Sequence, residues 1–125
     1  MTTTFNPVCW FEIPCADIAR AQDFYETTFD VRLSLNEMGP CQMAWFPMQD
    51  AAVGCTGSLV RGPGYQPSAG GSLVYFTTAD LDVTMNRALK AGGKVLQART
   101  EIGQYGSIAI VEDSEGNRIG LHQAP

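Results

Sequence analysis

Short apolar runs and one amphipathic segment make up the first half of the chain. Val8 to Pro14 is rich in β-branched and aromatic residues, which predicts a strand that ends at the proline. Asp17 stands where a helix N-cap belongs, and apolar residues then recur at helical spacing until about Asp30. Further strands are predicted over residues 31–36, 42–48 and 52–60, with a turn at residues 38–40.

The second half repeats this order after a glycine- and proline-rich linker, residues 61–71. Ser72 to Thr78 predicts a strand, Asp80 a second N-cap, and Gly92 with Gly93 the end of a second helix. Strands are also predicted over residues 94–98, 107–112 and 118–123, with a turn at residues 113–117. Each half is therefore strand, helix, three strands.

This internal repeat predicts an α+β fold with two βαβββ modules related by pseudo-two-fold symmetry. Neither half alone can bury the apolar face of its sheet, so we expect the modules to pack together as a curved mixed sheet around a cavity. The predicted boundaries are one domain over residues 1–125, with module one at about 8–60, the linker at 61–71 and module two at about 72–123.

Composition narrows the class of protein. A length of 125 residues suits one domain, and 45% hydrophobic residues argue against disorder. A net charge of -5 with only 8 Lys and Arg argues against a nucleic-acid partner. No apolar run is long enough for a membrane span, and the amino-terminal ten residues do not resemble a secretory signal, so we expect a cytoplasmic protein without a membrane partner.

Four stretches of the sequence carry a resemblance to a known family: WFEIPCADIARAQDFYETTF, GSLVYFTTADLD, AGGKVLQ and YGSIAIVEDSEGNRIGLH. With the repeat, they resemble the vicinal oxygen chelate superfamily of glyoxalase I, bleomycin-resistance proteins and extradiol dioxygenases. The chain looks most like its small, glyoxalase-related bacterial members. The resemblance implies the two-module fold, a ligand cavity and a two-fold dimer, but the superfamily hosts many chemistries.

The resemblance also assigns four strand positions to metal ligands, and these positions hold no metal donors here. Trp10, Leu73 and Gly120 occupy three of them, and the predicted fourth strand, residues 52–60, contains no carboxylate or histidine. A divalent cation needs several oxygen, nitrogen or thiolate donors. We therefore expect no metal and no other cofactor, and we do not expect metal-dependent glyoxalase I or dioxygenase activity.

Strand alternation selects the candidate cavity residues. Phe11 and Ile13 are expected to face the helix, so Glu12 between them is expected to face the cavity. The same parity and the repeat extend this set to the last strand. The candidate catalytic residues are Glu12, His122 and Tyr75, and the candidate ligand-binding residues are Trp10, Leu73, Arg118 and Gly120.

Three functions stay open from the sequence. The first is a glyoxalase-like, metal-independent enzyme in which Glu12 transfers a proton on a small organic substrate, assisted by His122 or Tyr75. The alternative is a metal-free protein of the bleomycin-resistance type, which sequesters a drug or metabolite between aromatic walls such as Trp10 and Trp45. An acidic protein of this kind would suit a cationic drug. The third is a structural or partner-binding domain with a collapsed cavity.

A homodimer is the expected assembly. Both sheets are expected to leave open edges, and Gly54 and Gly57 make the fourth strand suited to close packing.

Overall fold

The fold is described over residues 5–125 in a computed structural model. The first four residues of the amino-terminal segment considered above as a secretory signal lie outside the described residues. The elements are β1 Trp10–Pro14, α1 Ile18–Phe29, β2 Ser34–Met38, β3 Cys41–Trp45, β4 Thr56–Arg61, β5 Val74–Thr77, α2 Leu81–Lys90, β6 Lys94–Glu101, the 3-10 turn Gly103–Tyr105, β7 Ser107–Glu112 and β8 Arg118–Gln123.

Each module forms a four-stranded mixed sheet. Sheet one has the strand order β1-β4-β3-β2, and sheet two has the order β5-β8-β7-β6. In both sheets the first strand of the module pairs in parallel with the last, and the other pairs are antiparallel. The prediction of an α+β fold with two similar βαβββ modules is confirmed. The strands expected in a curved sheet are hydrogen-bonded as two sheets, one in each module.

Both helices begin at the predicted aspartates. The Asp17 carboxylate accepts a hydrogen bond from the Arg20 N–H, and the Asp80 carboxylate accepts one from the Val83 N–H. α1 ends at Asp30, which has a left-handed backbone with φ 53°. The two modules therefore start their helices by the same capping contact, as the repeat predicts.

Several strand boundaries differ from the predicted ones. β2 begins at Ser34 rather than at residue 31, β4 begins at Thr56 rather than at residue 52, and β6 continues to Glu101. The residues before β2 are apolar because Val31 and Leu33 pack on the core from a loop. The apolar residues before β2 therefore indicate contact with the core and not pairing in a strand.

The helix-facing sides of the two sheets meet in one core, and Phe76 of β5 lies at the contact. Its ring stacks on Phe29 at a centroid distance of 4.5 Å and meets the Phe11 ring edge-on at 5.6 Å. Phe11 belongs to β1 and Phe29 to α1, so these contacts join module two to both layers of module one. Partial burial of these rings contributes to the packing of the two modules.

The turn between β7 and β8 binds the amino-terminal end of α1 and the end of β1. Glu115 accepts hydrogen bonds from the backbone N–H groups of Ala16 and Asp17 at 2.8 and 2.9 Å and pairs with Arg20 at 2.6 Å. Burial raises the pKa of the Glu115 carboxyl, but these hydrogen bonds outweigh it and leave that pKa below its ordinary value. The Asn117 amide donates to the Pro14 carbonyl at 2.7 Å.

Two buried groups beside this turn keep their protons. The Tyr25 hydroxyl donates to the Asp113 carboxylate at 2.6 Å, and burial together with that negative charge raises the Tyr25 pKa well above its ordinary value. Burial, followed by the charges of Glu115 and Asp113, raises the pKa of the Cys15 thiol to about 12. The thiol of Cys15 is therefore unreactive near neutral pH.

Within residues 5–125, neither helix has the length and the continuous apolar character that a membrane crossing requires.

Candidate functional site

Each sheet has one side that packs on its helix and an opposite side, here called its open face. In sheet one, Glu12 of β1 lies in register with Ser58 of β4, and Ser58 lies in register with Trp45 of β3. Paired residues of neighbouring strands point to the same side of a sheet. Phe11 and Ile13 belong to the core on the other side, so Glu12, Ser58 and Trp45 share the open face.

Trp10 and Trp45, the only tryptophans of the chain, meet on this open face. Their rings are edge-to-face with centroids 5.5 Å apart. The Trp45 indole N–H and the Ser58 hydroxyl are buried, and neither has a hydrogen-bond partner among residues 5–125. Buried polar groups are nearly always paired, so two unpaired groups side by side mark a place where a further hydrogen-bonding group is missing.

Glu12 is exposed, and its one hydrogen bond in the described network comes from Tyr65 in the segment between the modules. The Tyr65 hydroxyl donates to Glu12 Oε1 at 2.8 Å. This hydrogen bond and the charge of the carboxylate raise the pKa of Tyr65. Tyr65 was not predicted as a site residue because it lies in the linker, although it is the only aromatic residue between residues 61 and 71.

The open face of sheet two has a different composition. Tyr75 lies in register with Gly120, and a Cβ added at Gly120 would overlap the Tyr75 ring. Gly120 therefore leaves room for that ring, which is 45% exposed. Arg118 has a buried Nε without a partner, and His122 Nε2 lies 2.6 Å from the Tyr105 carbonyl oxygen.

The predicted site residues thus form two groups in the chain. Trp10 and Glu12 belong to sheet one, and the remaining five belong to module two: Leu73, which immediately precedes β5, with Tyr75, Arg118, Gly120 and His122. Within residues 5–125, no hydrogen bond, ion pair or ring contact joins Glu12 to Tyr75, Arg118 or His122. Their catalytic and binding roles stay predictions.

A divalent metal does not fit the four positions that the resemblance assigns to ligands. On the open face, β4 offers the hydroxyls of Thr56 and Ser58, and Trp10, Leu73 and Gly120 offer no donor atoms. Across residues 5–125, no group of three or more His, Cys, Asp or Glu side chains is arranged to hold a metal ion.

A separate cleft of about 1210 Å³ opens between the modules, on the helix side of the sheets. Five phenylalanines among residues 5–125 line it: Phe5 near the amino terminus, and Phe11, Phe29, Phe46 and Phe76. Its mouth includes residues 47–50 and 52–55, which belong to the connection between β3 and β4. This cleft was not predicted from the sequence, and none of the seven predicted site residues lines it.

Comparison with known proteins gives a family match over most of the chain. The model of the Glyoxalase/Bleomycin resistance protein/Dioxygenase superfamily matches residues 8–121. A search of curated proteins gave no significant match.

Among solved structures, the chain is similar to a glyoxylase/bleomycin resistance protein/dioxygenase domain from Frankia sp. EAN1pec, with 16% identity and a TM-score of 0.75 over 98% of this chain and 100% of that one. It is also similar to TnmS3, an antibiotic binding protein from Streptomyces sp. CB03234, with 25% identity and a TM-score of 0.66 over 99% and 100% of the two chains. Glyoxalase I from Zea mays matches with 20% identity and a TM-score of 0.69 over 94% of this chain. The chain covers 46% of that maize protein.

Proposed function

The chain belongs to the glyoxalase/bleomycin resistance protein/dioxygenase superfamily, and we propose that it binds a small aromatic molecule on the open face of sheet one without a metal. One observation carries this proposal. Trp10 and Trp45 meet edge-to-face there, next to an indole N–H and a Ser58 hydroxyl that are buried and unpaired. The similarity to an antibiotic binding protein supports binding as the activity.

The chemistry of this face selects the class of ligand. Two indole rings offer apolar area to a planar molecule. An acceptor oxygen of that molecule supplies the partner that the Trp45 N–H and the Ser58 hydroxyl lack, after a small rotation of the indole. Tyr65 holds one oxygen of Glu12, and the other oxygen accepts a hydrogen bond from a ligand hydroxyl. The ligand is therefore an aromatic molecule that carries both carbonyl and hydroxyl groups.

Intrinsic fluorescence tests the proposal directly, because both tryptophans of the chain lie at this face. Quercetin, a hydroxylated aromatic ketone, is expected to quench the tryptophan emission of the wild-type protein with saturation. Calorimetry should then show that Glu12→Gln weakens quercetin binding by about tenfold, the effect of one charge-assisted hydrogen bond. The matched control is Glu37→Gln, an exposed carboxylate of the same sheet whose register with Gln42 places it on the helix side.

Two outcomes would contradict the proposal. If quercetin leaves the tryptophan emission unchanged, the open face of sheet one is not a binding site. Equal quercetin affinities of Glu12→Gln and Glu37→Gln would remove Glu12 from it.

A second candidate function is the proton-transfer enzyme, which the contact between Tyr65 and Glu12 favours. In this hypothesis Glu12 removes a proton from a small substrate, and the Tyr65 hydroxyl orients the carboxylate. The test substrate is the hemithioacetal of methylglyoxal and glutathione. If the wild-type protein consumes it and Glu12→Gln does not, the protein is an enzyme and not only a binding protein. Absence of turnover with normal quercetin binding would exclude this reaction.

A homodimer and a cytoplasmic location also stay predictions. The structure changes the support for the dimer, because Gly57 packs within module one, where an added Cβ would overlap the Phe11 carbonyl oxygen. Gly54 lies before β4. The edge strands of the two sheets, β1 and β2 in sheet one and β5 and β6 in sheet two, are the remaining support. Light scattering should give about twice the 13.5 kDa chain mass, and a monomer at micromolar concentration would contradict it.

A further inference from the structure

The cleft between the modules lies on the opposite side of the sheets from the open faces. Its floor consists of phenylalanine rings from β1, α1 and β5, together with Phe46 just after β3. Phe46 and Phe76 lie 5.6 Å apart, as do Phe11 and Phe46. These rings leave a cleft of about 1210 Å³ unfilled, which exceeds the volume that most drug-sized ligands need.

The rim of the cleft is also apolar and exposed. Val8, Met48, Val53 and Val83 line it; Val53 is fully exposed, Val8 and Met48 are each 61% exposed, and Val83 is 42% exposed. The connection between β3 and β4 that carries Met48 and Val53 is anchored at its base, because the Thr56 hydroxyl donates to the Pro47 carbonyl at 2.8 Å. An apolar rim around an aromatic floor is characteristic of a binding site for an organic molecule.

The charged residues of the cleft decide the charge of that molecule. Three aspartates line it, Asp30, Asp50 and Asp80, against one cation, Arg87. Asp80 also caps α2 but keeps its negative charge, so carboxylates outnumber cations among the described lining residues. An acidic cleft concentrates cations, and the faces of aromatic rings attract them as well.

We propose that this cleft is a second binding site, which takes an aromatic cation against the phenylalanine floor. The proposal does not rest on the open-face site, because the two sites share no residue among those that carry either argument. Asp30 and Asp50 attract the positive charge at the mouth, and the four rings cover the aromatic body of the molecule.

The affinity test uses crystal violet, an aromatic cation, and a matched pair of variants on α2. Val83 lines the cleft and is 42% exposed, whereas Leu89 lies outside it and is 49% exposed. Both positions should tolerate a lysine, because both side chains are exposed to solvent. Val83→Lys puts a positive charge at the rim and is expected to weaken crystal violet binding by about tenfold or more, measured by calorimetry. Leu89→Lys is expected to leave the affinity within about twofold of wild type.

Two cysteines provide a second readout at the site itself. Cys9 and Cys55 line the cleft and are exposed, whereas Cys41 lies outside it. Saturating crystal violet is expected to slow alkylation of Cys9 and Cys55 by iodoacetamide, measured on peptides by mass spectrometry, and to leave Cys41 unchanged. The anionic dye 8-anilinonaphthalene-1-sulfonate should give neither tight binding nor protection.

Three results would overturn the proposal: equal affinities of the two lysine variants, no protection of Cys9 and Cys55, or equal binding of the anionic dye. If crystal violet binding survives Val83→Lys and is lost in Trp10→Ala, the dye occupies the open face, which rejects the cleft and leaves the open-face site standing. If quercetin fails to bind while crystal violet behaves as expected, the cleft stands and the open-face proposal fails.

Discussion

The connection between the third and fourth strands has opposite roles in the two modules. In module two the turn at residues 113–117 is short and inward-facing, with Asp113 and Asn117 only 3 and 6% exposed, and it binds the start of α1. In module one the corresponding connection, residues 46–55, runs over the surface and forms a wall of the cleft. A repeated set of strands therefore does not imply repeated connections, and the connections decide where the molecule is closed and where it is open.

The open faces also differ at equivalent register positions. Glu12 pairs with Ser58 in the β1–β4 ladder, and Tyr75 pairs with Gly120 in the β5–β8 ladder. The two pairs are equivalent in the repeat, because Glu12 and Tyr75 each lie five residues before the aspartate that caps the helix of their module. Sheet one thus presents a carboxylate beside an unpaired hydroxyl, whereas sheet two presents an aromatic ring over a glycine. The same backbone carries two surfaces of different chemistry.

The largest expected effect separates the two glycines that approach a neighbouring strand. An added Cβ at Gly57 would overlap the Phe11 backbone oxygen, which cannot move without breaking the β1–β4 ladder. Gly57→Ala should therefore lower the free energy of unfolding by about 3 kcal/mol. In Gly120→Ala the exposed Tyr75 ring can turn toward water, so a loss of about 1 kcal/mol is expected. Urea denaturation measures both, and equal losses would contradict the distinction.

The second prediction concerns Glu115 of module two, which binds the start of α1 in module one. Glu115→Ala removes the acceptor for Ala16, Asp17 and Arg20 and should cost about 2 kcal/mol of unfolding free energy. The pKa of Glu115 is lower in the folded state than in the unfolded state. Its contribution to the free energy of unfolding is therefore complete above the unfolded-state pKa and is lost as the pH falls through the folded-state pKa. The difference between wild type and variant should shrink from pH 6 toward pH 3, and a difference independent of pH would exclude the charge as its source.

A smaller effect distinguishes the tyrosine that bridges the modules from one on an open face. Tyr25→Phe leaves the buried Asp113 carboxylate with one partner fewer and should cost about 1.5 kcal/mol. Tyr75→Phe, at a position 45% exposed, should change stability by less than about 0.5 kcal/mol. The folded-state pKa of Tyr25 is raised, so the contribution of Tyr25 to the free energy of unfolding is lost as the pH rises past the ordinary tyrosine range. Tyr25→Phe should therefore lose less stability at alkaline pH than the wild type does.

The smallest effect tests the similarity of the modules. Asp17→Ala and Asp80→Ala each remove an N-cap acceptor of the same geometry, so each should cost about 1 kcal/mol. Each helix start also receives a second acceptor, from Glu115 in α1 and from Gln123 in α2. Thermal unfolding should show nearly equal shifts, and a loss confined to one helix would show that the two caps are not equivalent.

Strand alternation predicted the side of the sheet on which Glu12 lies, but Glu12 is exposed there and does not line the cleft. Phe11 and Ile13 belong to the core as expected, and the register places Glu12 on the other side of the sheet with Ser58. Tyr65 was missed because a residue in a glycine- and proline-rich segment has no periodicity that shows where its side chain points. The unpaired Trp45 N–H also could not be predicted from the sequence, because its hydrogen bonding depends on which residues the fold packs around it.

The sequence by itself determined the two modules, because apolar spacing and the capping aspartates at positions 17 and 80 act over a few residues of chain. Only the tertiary structure decided where the molecule has room for a ligand. Residues of the connection at 46–55 and of α2 line the cleft together, while the turn at 113–117 closes on α1. Such contacts depend on how distant segments pack, and local preferences of the chain do not encode them.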